Sequence, residues 1–193
     1  MKAFIKTKYG GPEILRLEEV DKPIVKDDHI LVKVVANSAN PADWHLLRGE
    51  PFFARFTAGL FKPKEKIAGA DFAGIVVETG NKVTKFKVGD HVYGETLMGG
   101  AFAEYVSVPA TVCGKIPGNV SFVQMASLPT AGLTALQAIV THGKIRAGET
   151  VLINGTSGGV GHFAVQIAKA YGANVTAVCS GRNAGFVKSL GAD

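Results

Sequence analysis

Val151-Leu152-Ile153-Asn154-Gly155-Thr156-Ser157-Gly158-Gly159-Val160-Gly161 is the stretch whose reading decides the fold. A short apolar run, Val151 to Ile153, enters a glycine-rich loop. The loop opens a segment with apolar residues at 160, 163, 164, 167, 168 and 171. Those positions form one stripe of a 3.6-residue helix, so the stripe predicts a buried face, with His162, Gln166 and Lys169 on the polar side. Strand, glycine loop and helix start together make a phosphate cradle. Backbone without Cβ atoms can come close to a diphosphate, and the first helical turn points unpaired N–H groups and a partial positive charge at it. A second apolar run, Asn174 to Cys179, predicts the next strand and completes the opening of a dinucleotide-binding βαβ unit. Against the ideal G-x-G-x-x-G, Thr156 stands at the first glycine position and Gly158 and Gly161 at the other two. The predicted cradle is Thr156, Ser157, Gly158, Gly159, Val160 and Gly161.

Working outward, 193 residues with 47% hydrophobic and 19% charged content suit a globular protein with a substantial core. The net charge is +5, with small clusters at Lys62, Lys64 and Lys66 and at Lys82, Lys85 and Lys87. Neither carries a nucleic-acid motif, which predicts no nucleic-acid partner. Solvated loop lysines are the first reading, and a weak attraction to anionic cofactors or membrane surfaces is the second. Cys113 and Cys179 stand far apart, in neither a disulfide framework nor a zinc spacing, and favour a reducing, cytoplasmic compartment. The N-terminus lacks an apolar signal core, and the longest apolar stretch, Leu128 to Val140, is too short and too polar to span a bilayer. Val187 to Asp193 reads as a helix end, a stop at Gly191 and the lead-in to another strand. A dinucleotide-binding sheet has about six strands and two can be counted, so the chain is expected to be the first part of a longer protein.

Before the glycine loop the pattern is mostly β. Ala3 to Ile5, Ile14 to Val20 and Ile30 to Val35 read as strands. Asn40 and Pro41 open a helix as N-cap and first helical residue, and Gly49 closes it. Residues 50 to 66 hold Phe52, Phe53, Phe56 and Phe61 and read as a loop. It is either a lid or substrate wall, or a satellite cluster packed under a long loop. Further short strands, Gly74 to Val77, Gly89 to Tyr93 and Ala101 to Val108, suggest a partly open barrel. At Ser121 a capping box with Gln124 starts a helix. Pro129 is expected to interrupt it, and Thr130 to His142 to form a second helix with Leu133, Leu136 and Val140 on its buried face. The expected division is 1–120, β-rich, and 121–193, α/β.

Five blocks in this order carry a resemblance. They are Asn40-Pro41-Ala42-Asp43 with Arg48-Gly49, Gly69-Ala70-Asp71-Phe72-Ala73-Gly74, Gly89-Asp90-His91-Val92-Tyr93, Gly132-Leu133-Thr134-Ala135 and Ser157 to Gly161. The chain resembles the medium-chain dehydrogenase/reductase superfamily in its zinc-free quinone oxidoreductase branch. Within that branch, Gly158 to His162 and Arg182 to Asp193 look most like the plant chloroplast-envelope homologues and similar bacterial reductases. The resemblance implies a GroES-like, partly open barrel domain followed by the first part of a Rossmann domain. It implies hydride transfer from a nicotinamide cofactor to a quinone or an α,β-unsaturated carbonyl, and a homodimer for the full-length protein.

Zinc-dependent relatives place a Cys where Asn40 stands and a His-Glu pair where Ala70 and Asp71 stand, so the resemblance implies catalysis without zinc. Asn40 and Thr134 match positions beside the nicotinamide, where they would position cofactor or substrate. An NAD-binding unit carries an acid at the end of its second strand. Here Ser180 stands there, followed by Gly181, Arg182 and Asn183. Ser180 can hydrogen-bond a 2′-phosphate and Arg182 can pair with it, which predicts NADPH. The competing reading is that Ser180 or Asn183 caps the next helix and Arg182 is solvated. Two other functional readings stand beside the reductase: a non-catalytic NADPH-binding protein of sensor or crystallin type, and an inactive fragment.

Overall fold

A computed structural model describes residues Met1–Asp193, which form two compact units, Met1–Pro129 and Thr130–Asp193. The first unit begins with an antiparallel pair, β1 (Lys2–Ile5) and β2 (Arg16–Glu19). β3 (His29–Ser38), β4 (Asp71–Thr79), β5 (His91–Glu95), β6 (Tyr105–Pro109) and β7 (Cys113–Lys115) then build an antiparallel sheet in the order β6-β3-β4-β5-β7. Single bridges from Ala3 to Ala103 and from Ile5 to Ile67 join β1 to later segments, so the sheet curls toward the partly open barrel that the short strands predict. β3 slips register against β4 at Leu31/Val32 and at Val34/Ala36. At the second slip β4 carries Gly74, where a Cβ would overlap the Lys33 carbonyl.

Alternation along the strands fills one core with Ile30, Val32, Phe72, Val76, Val92, Val106 and Val108. Ala73, next to Phe72, points to the opposite face, as the two-residue period of a strand requires. There it meets Met125 and Ala126 of a short helix. Phe72 has no solvent exposure and lies at the centre of the sheet. Phe72→Ala is expected to destabilise the first unit by about 3–5 kcal/mol, because the cavity it leaves adds to the lost transfer energy. Equilibrium unfolding in urea measures this, and a loss below about 1 kcal/mol would show that the core is not packed around this ring.

Two helices of the first unit begin as their cap residues predict. α1 (Pro41–Arg48) follows Asn40 and ends at Gly49, which adopts φ 64°. A second, single-turn helix, α2 (Arg55–Ala58), lies in the Phe-rich loop. In α3 (Phe122–Ala126), Ser121 Oγ accepts from the Gln124 N–H, and Gln124 Oε1 accepts from the Ser121 N–H. The expected change of character near residue 120 and the break after Pro129 differ by this one helix, which packs its apolar side on β3, β4 and β5.

Pro129 does not interrupt a helix but starts one, α4 (Pro129–Leu136), where its fixed φ and missing N–H suit the first turn. α4 continues into a π turn, Gln137–His142, closed by the Gly143 N–H donating to the Ala138 carbonyl. Its buried residues are Pro129, Ala131, Gly132, Ala135 and Ile139, with Val140 partly buried, while Leu133 and Leu136 are exposed. The expected leucine face is therefore corrected. The helix is apolar on most sides, so periodicity does not select a face, and the small alanines allow the closer approach. β8 (Thr150–Asn154) and β9 (Asn174–Val178) pair in parallel, joined by α5 (Gly159–Ala170), and α6 (Ala184–Ser189) follows. On α5 the buried row is Gly161, Ala164, Val165 and Ala168. The expected positions Val160 and Tyr171 are exposed, and Gly161 explains the rotation, as shown below. No helix is long and apolar enough to cross a membrane.

Candidate functional site

In the second unit the glycine loop connects β8 to α5. Gly155 adopts φ 75°, a left-handed conformation that a side chain would strain. Thr156 is fully buried, and both its N–H and its Oγ1 donate to the Val178 carbonyl at 3.1 Å. That pair of bonds explains a threonine at the first glycine position: it ties the loop to the end of β9. Gly158 is the N-cap of α5, and the first intrahelical bond runs from the His162 N–H to the Gly158 carbonyl. The N–H groups of Gly159, Val160 and Gly161 thus have no acceptor within the helix and face out of its N-terminus. At Gly161 a Cβ would overlap the Gly155 carbonyl oxygen and stand 2.7 Å from Thr156 Cα. This contact sets the rotation of α5 and brings the helix start against the loop. His162 is half-buried, with Nδ1 at 3.0 Å from the Gly158 carbonyl.

The end of β9 lies beside this loop. Asn183 Nδ2 donates to Ser157 Oγ at 3.0 Å and to Ser180 Oγ at 3.1 Å. One carboxamide therefore joins the loop serine to the strand-end serine in a single polar rim. Neither Ser180 nor Asn183 makes a side-chain cap bond to the helical turns that follow them, Gly181–Asn183 and α6. The capping alternative is thus not what these side chains do. Ser180 and Arg182 are exposed, and no acid lies between Ser180 and Asn183. The bridging role of Asn183 was not readable beforehand, because it depends on the loop and the strand end meeting. Thr134, on α4, donates its Oγ1 hydrogen to the Thr130 carbonyl at 2.6 Å, so the hydroxyl can only accept from a ligand.

In the first unit Asn40 sits in a partly buried polar network. Its Nδ2 donates to Asp71 Oδ2 at 3.0 Å and lies 3.4 Å from Ser38 Oγ; Ser38 Oγ in turn donates to the same Asp71 oxygen at 3.1 Å. Asp71 has no solvent exposure. The Asn40 N–H donates to Asp43 Oδ2 at 2.7 Å, the reciprocal half of a capping box. Burial raises the Asp43 carboxyl above the ordinary aspartate range; the Asn40 N–H opposes this, and the Asp71 charge adds to it. Lys6 is also buried, and its ammonium is held below the usual lysine range by desolvation, against the pull of Glu65 and Asp43. Ala70, at the position where the resemblance places a metal ligand, is a buried methyl. Nowhere do three His, Cys, Asp or Glu side chains gather as a metal-holding group. Cys113 is buried, its thiol pushed up to about 12 by desolvation, which makes it an inert packing residue.

Comparison with known proteins follows the two units. Residues 26–118 match the alcohol dehydrogenase GroES-like domain. The chain is 41% identical over 193 residues to a chloroplastic quinone-oxidoreductase homolog of Spinacia oleracea, covering 95% of this chain and 56% of that one. It is 38% identical to a chloroplastic NADPH-dependent alkenal/one oxidoreductase of Arabidopsis thaliana, covering 100% of this chain and 51% of that one. Among solved structures, the quinone oxidoreductase from Coxiella burnetii superposes with a TM-score of 0.90 at 38% identity, over 100% of this chain and 61% of its own. A mycobacterial protein solved in complex with NADPH gives 0.86 at 30% identity, over 100% and 57%. The chain spans about half the length of the curated relatives it matches.

Proposed function

We propose, from the match of residues 26–118 to the alcohol dehydrogenase GroES-like domain and the likeness to quinone oxidoreductases, that the full-length protein is a medium-chain dehydrogenase/reductase, an NADPH-dependent reductase of quinones or α,β-unsaturated carbonyls, working without zinc. The observation that carries the reading is the rim in which Asn183 holds Ser157 and Ser180 together beside the N-terminus of α5. The residues present fit the cofactor. The N–H groups of Gly159, Val160 and Gly161 suit its diphosphate, and the missing Cβ of Gly161 lets the helix start lie close against the loop backbone. Ser180 and Arg182 suit a 2′-phosphate, with no carboxylate to repel it.

When bound, NADPH supplies the hydride. The chain's own residues hold and orient the reactants, which converts an encounter into a first-order step. Asn40 is fixed through its Nδ2 by Asp71 and Ser38 and by the capping box it shares with Asp43, so the carboxamide is held rigidly. We assign Asn40 and Thr134 positioning roles toward nicotinamide or substrate. Zinc independence rests on the donor set: the Asn40 amide is spent on Asp71, and Ala70 has no donor atom. Without a Lewis acid the suitable acceptors are those already electron-poor.

The test is NADPH oxidation by the full-length protein, followed by absorbance, with a panel of quinones, enones and saturated ketones in the presence of a chelator. Turnover is expected with quinones or enones and not with the saturated ketones. NADPH binding without turnover on any acceptor would replace this reading with that of a non-catalytic cofactor-binding protein.

A further inference from the structure

Within residues 1–193, Phe52, Phe53, Phe56 and Phe61 are 62%, 71%, 68% and 88% exposed, so no other part of this stretch packs over them. Yet its backbone is firmly tied down. Tyr9 Oη donates to the Gly59 carbonyl at 2.5 Å. Arg55 donates to the Gly49 and Arg48 carbonyls at 2.9 and 3.2 Å and lies over the Tyr9 ring. The Lys64 N–H closes on the Ala58 carbonyl at 2.8 Å, and Ala58, Gly59 and Pro63 are buried beneath. A stapled loop that presents four aromatic rings outward leaves more apolar surface in water than an isolated exposed leucine would.

The charges beside these rings have one dominant sign. Arg48, Lys62, Lys64 and Lys66 are exposed, whereas Glu65 is half-buried and bonded to the Ile67 N–H, leaving Glu50 as the exposed acid of residues 48–66. We propose that this segment docks the protein on an anionic lipid surface, with the phenylalanines entering the headgroup–acyl boundary and Lys62, Lys64 and Lys66 facing the anionic headgroups. Apolar rings and basic residues supply the two signals that a stable but reversible attachment needs. Resting on the proposed reductase activity, the same surface points to a quinone or enone dissolved in lipid as the substrate class.

Co-sedimentation of the full-length protein with vesicles of phosphatidylcholine alone, or with added phosphatidylglycerol, tests the docking. NADPH turnover on a water-soluble quinone is measured separately, so that loss of either property is distinguishable. Binding is expected to the phosphatidylglycerol vesicles, to weaken in high salt, and to fall by about tenfold or more in the doubly substituted Phe53→Ser, Phe61→Ser protein. The pair Lys62→Glu and Lys64→Glu is expected to abolish the preference for anionic vesicles. Ile24→Ser, which removes another exposed apolar side chain elsewhere in the first unit, is expected to change nothing. No binding to anionic vesicles, equal binding to neutral ones, or binding insensitive to the phenylalanine changes would overturn the proposal. So would phenylalanine variants that alter KM for a soluble quinone while leaving vesicle binding intact, since the rings would then be a substrate wall.

Discussion

Gly161→Ala is expected to destabilise the second unit and to abolish tight cofactor binding together. The added methyl would overlap the Gly155 carbonyl and crowd Thr156 Cα, both of them backbone, so no side-chain rotation relieves it. Overpacking of this kind costs about 1–3 kcal/mol. The structure can relax only by moving the helix start away from the loop, and that separates the N–H groups of Gly159, Val160 and Gly161 from the place a diphosphate would occupy. A loss in NADPH affinity of more than about tenfold is expected, equivalent to ~1.4 kcal/mol. Gly159→Ala is the control for stability, because the nearest atom to a Cβ there is Ala131 Cβ at 3.8 Å. Thermal unfolding and cofactor titration of both variants decide the matter. Equal stability for the two alanine variants would mean that the close approach at Gly161 does not organise the loop.

Removing the charge at Arg182 is expected to act on one cofactor only. Charge-assisted hydrogen bonds contribute about 1.5–3 kcal/mol, and Arg182 is exposed, so the lower end of that range applies. Arg182→Ala should then weaken NADPH by about tenfold while leaving NADH unchanged. Ser180→Asp goes further, since it places a carboxylate where an NAD-binding unit has its acid. It is expected to invert the cofactor preference. Because neither side chain caps a helix, neither substitution should change stability, and a drop in thermal midpoint without a change in cofactor ratio would return these residues to a structural role.

Much of this organisation is legible in local sequence, where one short-range force decides. Asn40, Pro41 and Gly49 bracket α1 because cap, fixed φ and left-handed stop each act within one turn. Val151 to Ile153 and the glycines after it announce β8 and the start of α5 for the same reason. The faces of α4 and α5 are less legible. α4 is apolar on most sides, so its pattern selects no face, and on α5 the close approach at Gly161 shifts the buried row away from Val160 and Tyr171. The loop between β8 and α5 can be placed in advance, but Asn183 as the link between Ser157 and Ser180 cannot, since the three meet only when β8 and β9 pair. Likewise Asn40 reads as a helix cap, and its tie to Asp71, thirty-one residues away, depends on β3 and β4 lying side by side. Leu152, between Val151 and Ile153 of the core cluster, points to the opposite face of β8, as the two-residue period of a strand requires, and is 68% exposed there.

The most direct measurement is a titration of the unsubstituted full-length protein with NADPH and with NADH under the same conditions. The account predicts that NADPH binds at least about tenfold more tightly, the difference of one charge-assisted contact to its 2′-phosphate. Equal affinity, or tighter binding of NADH, would contradict it.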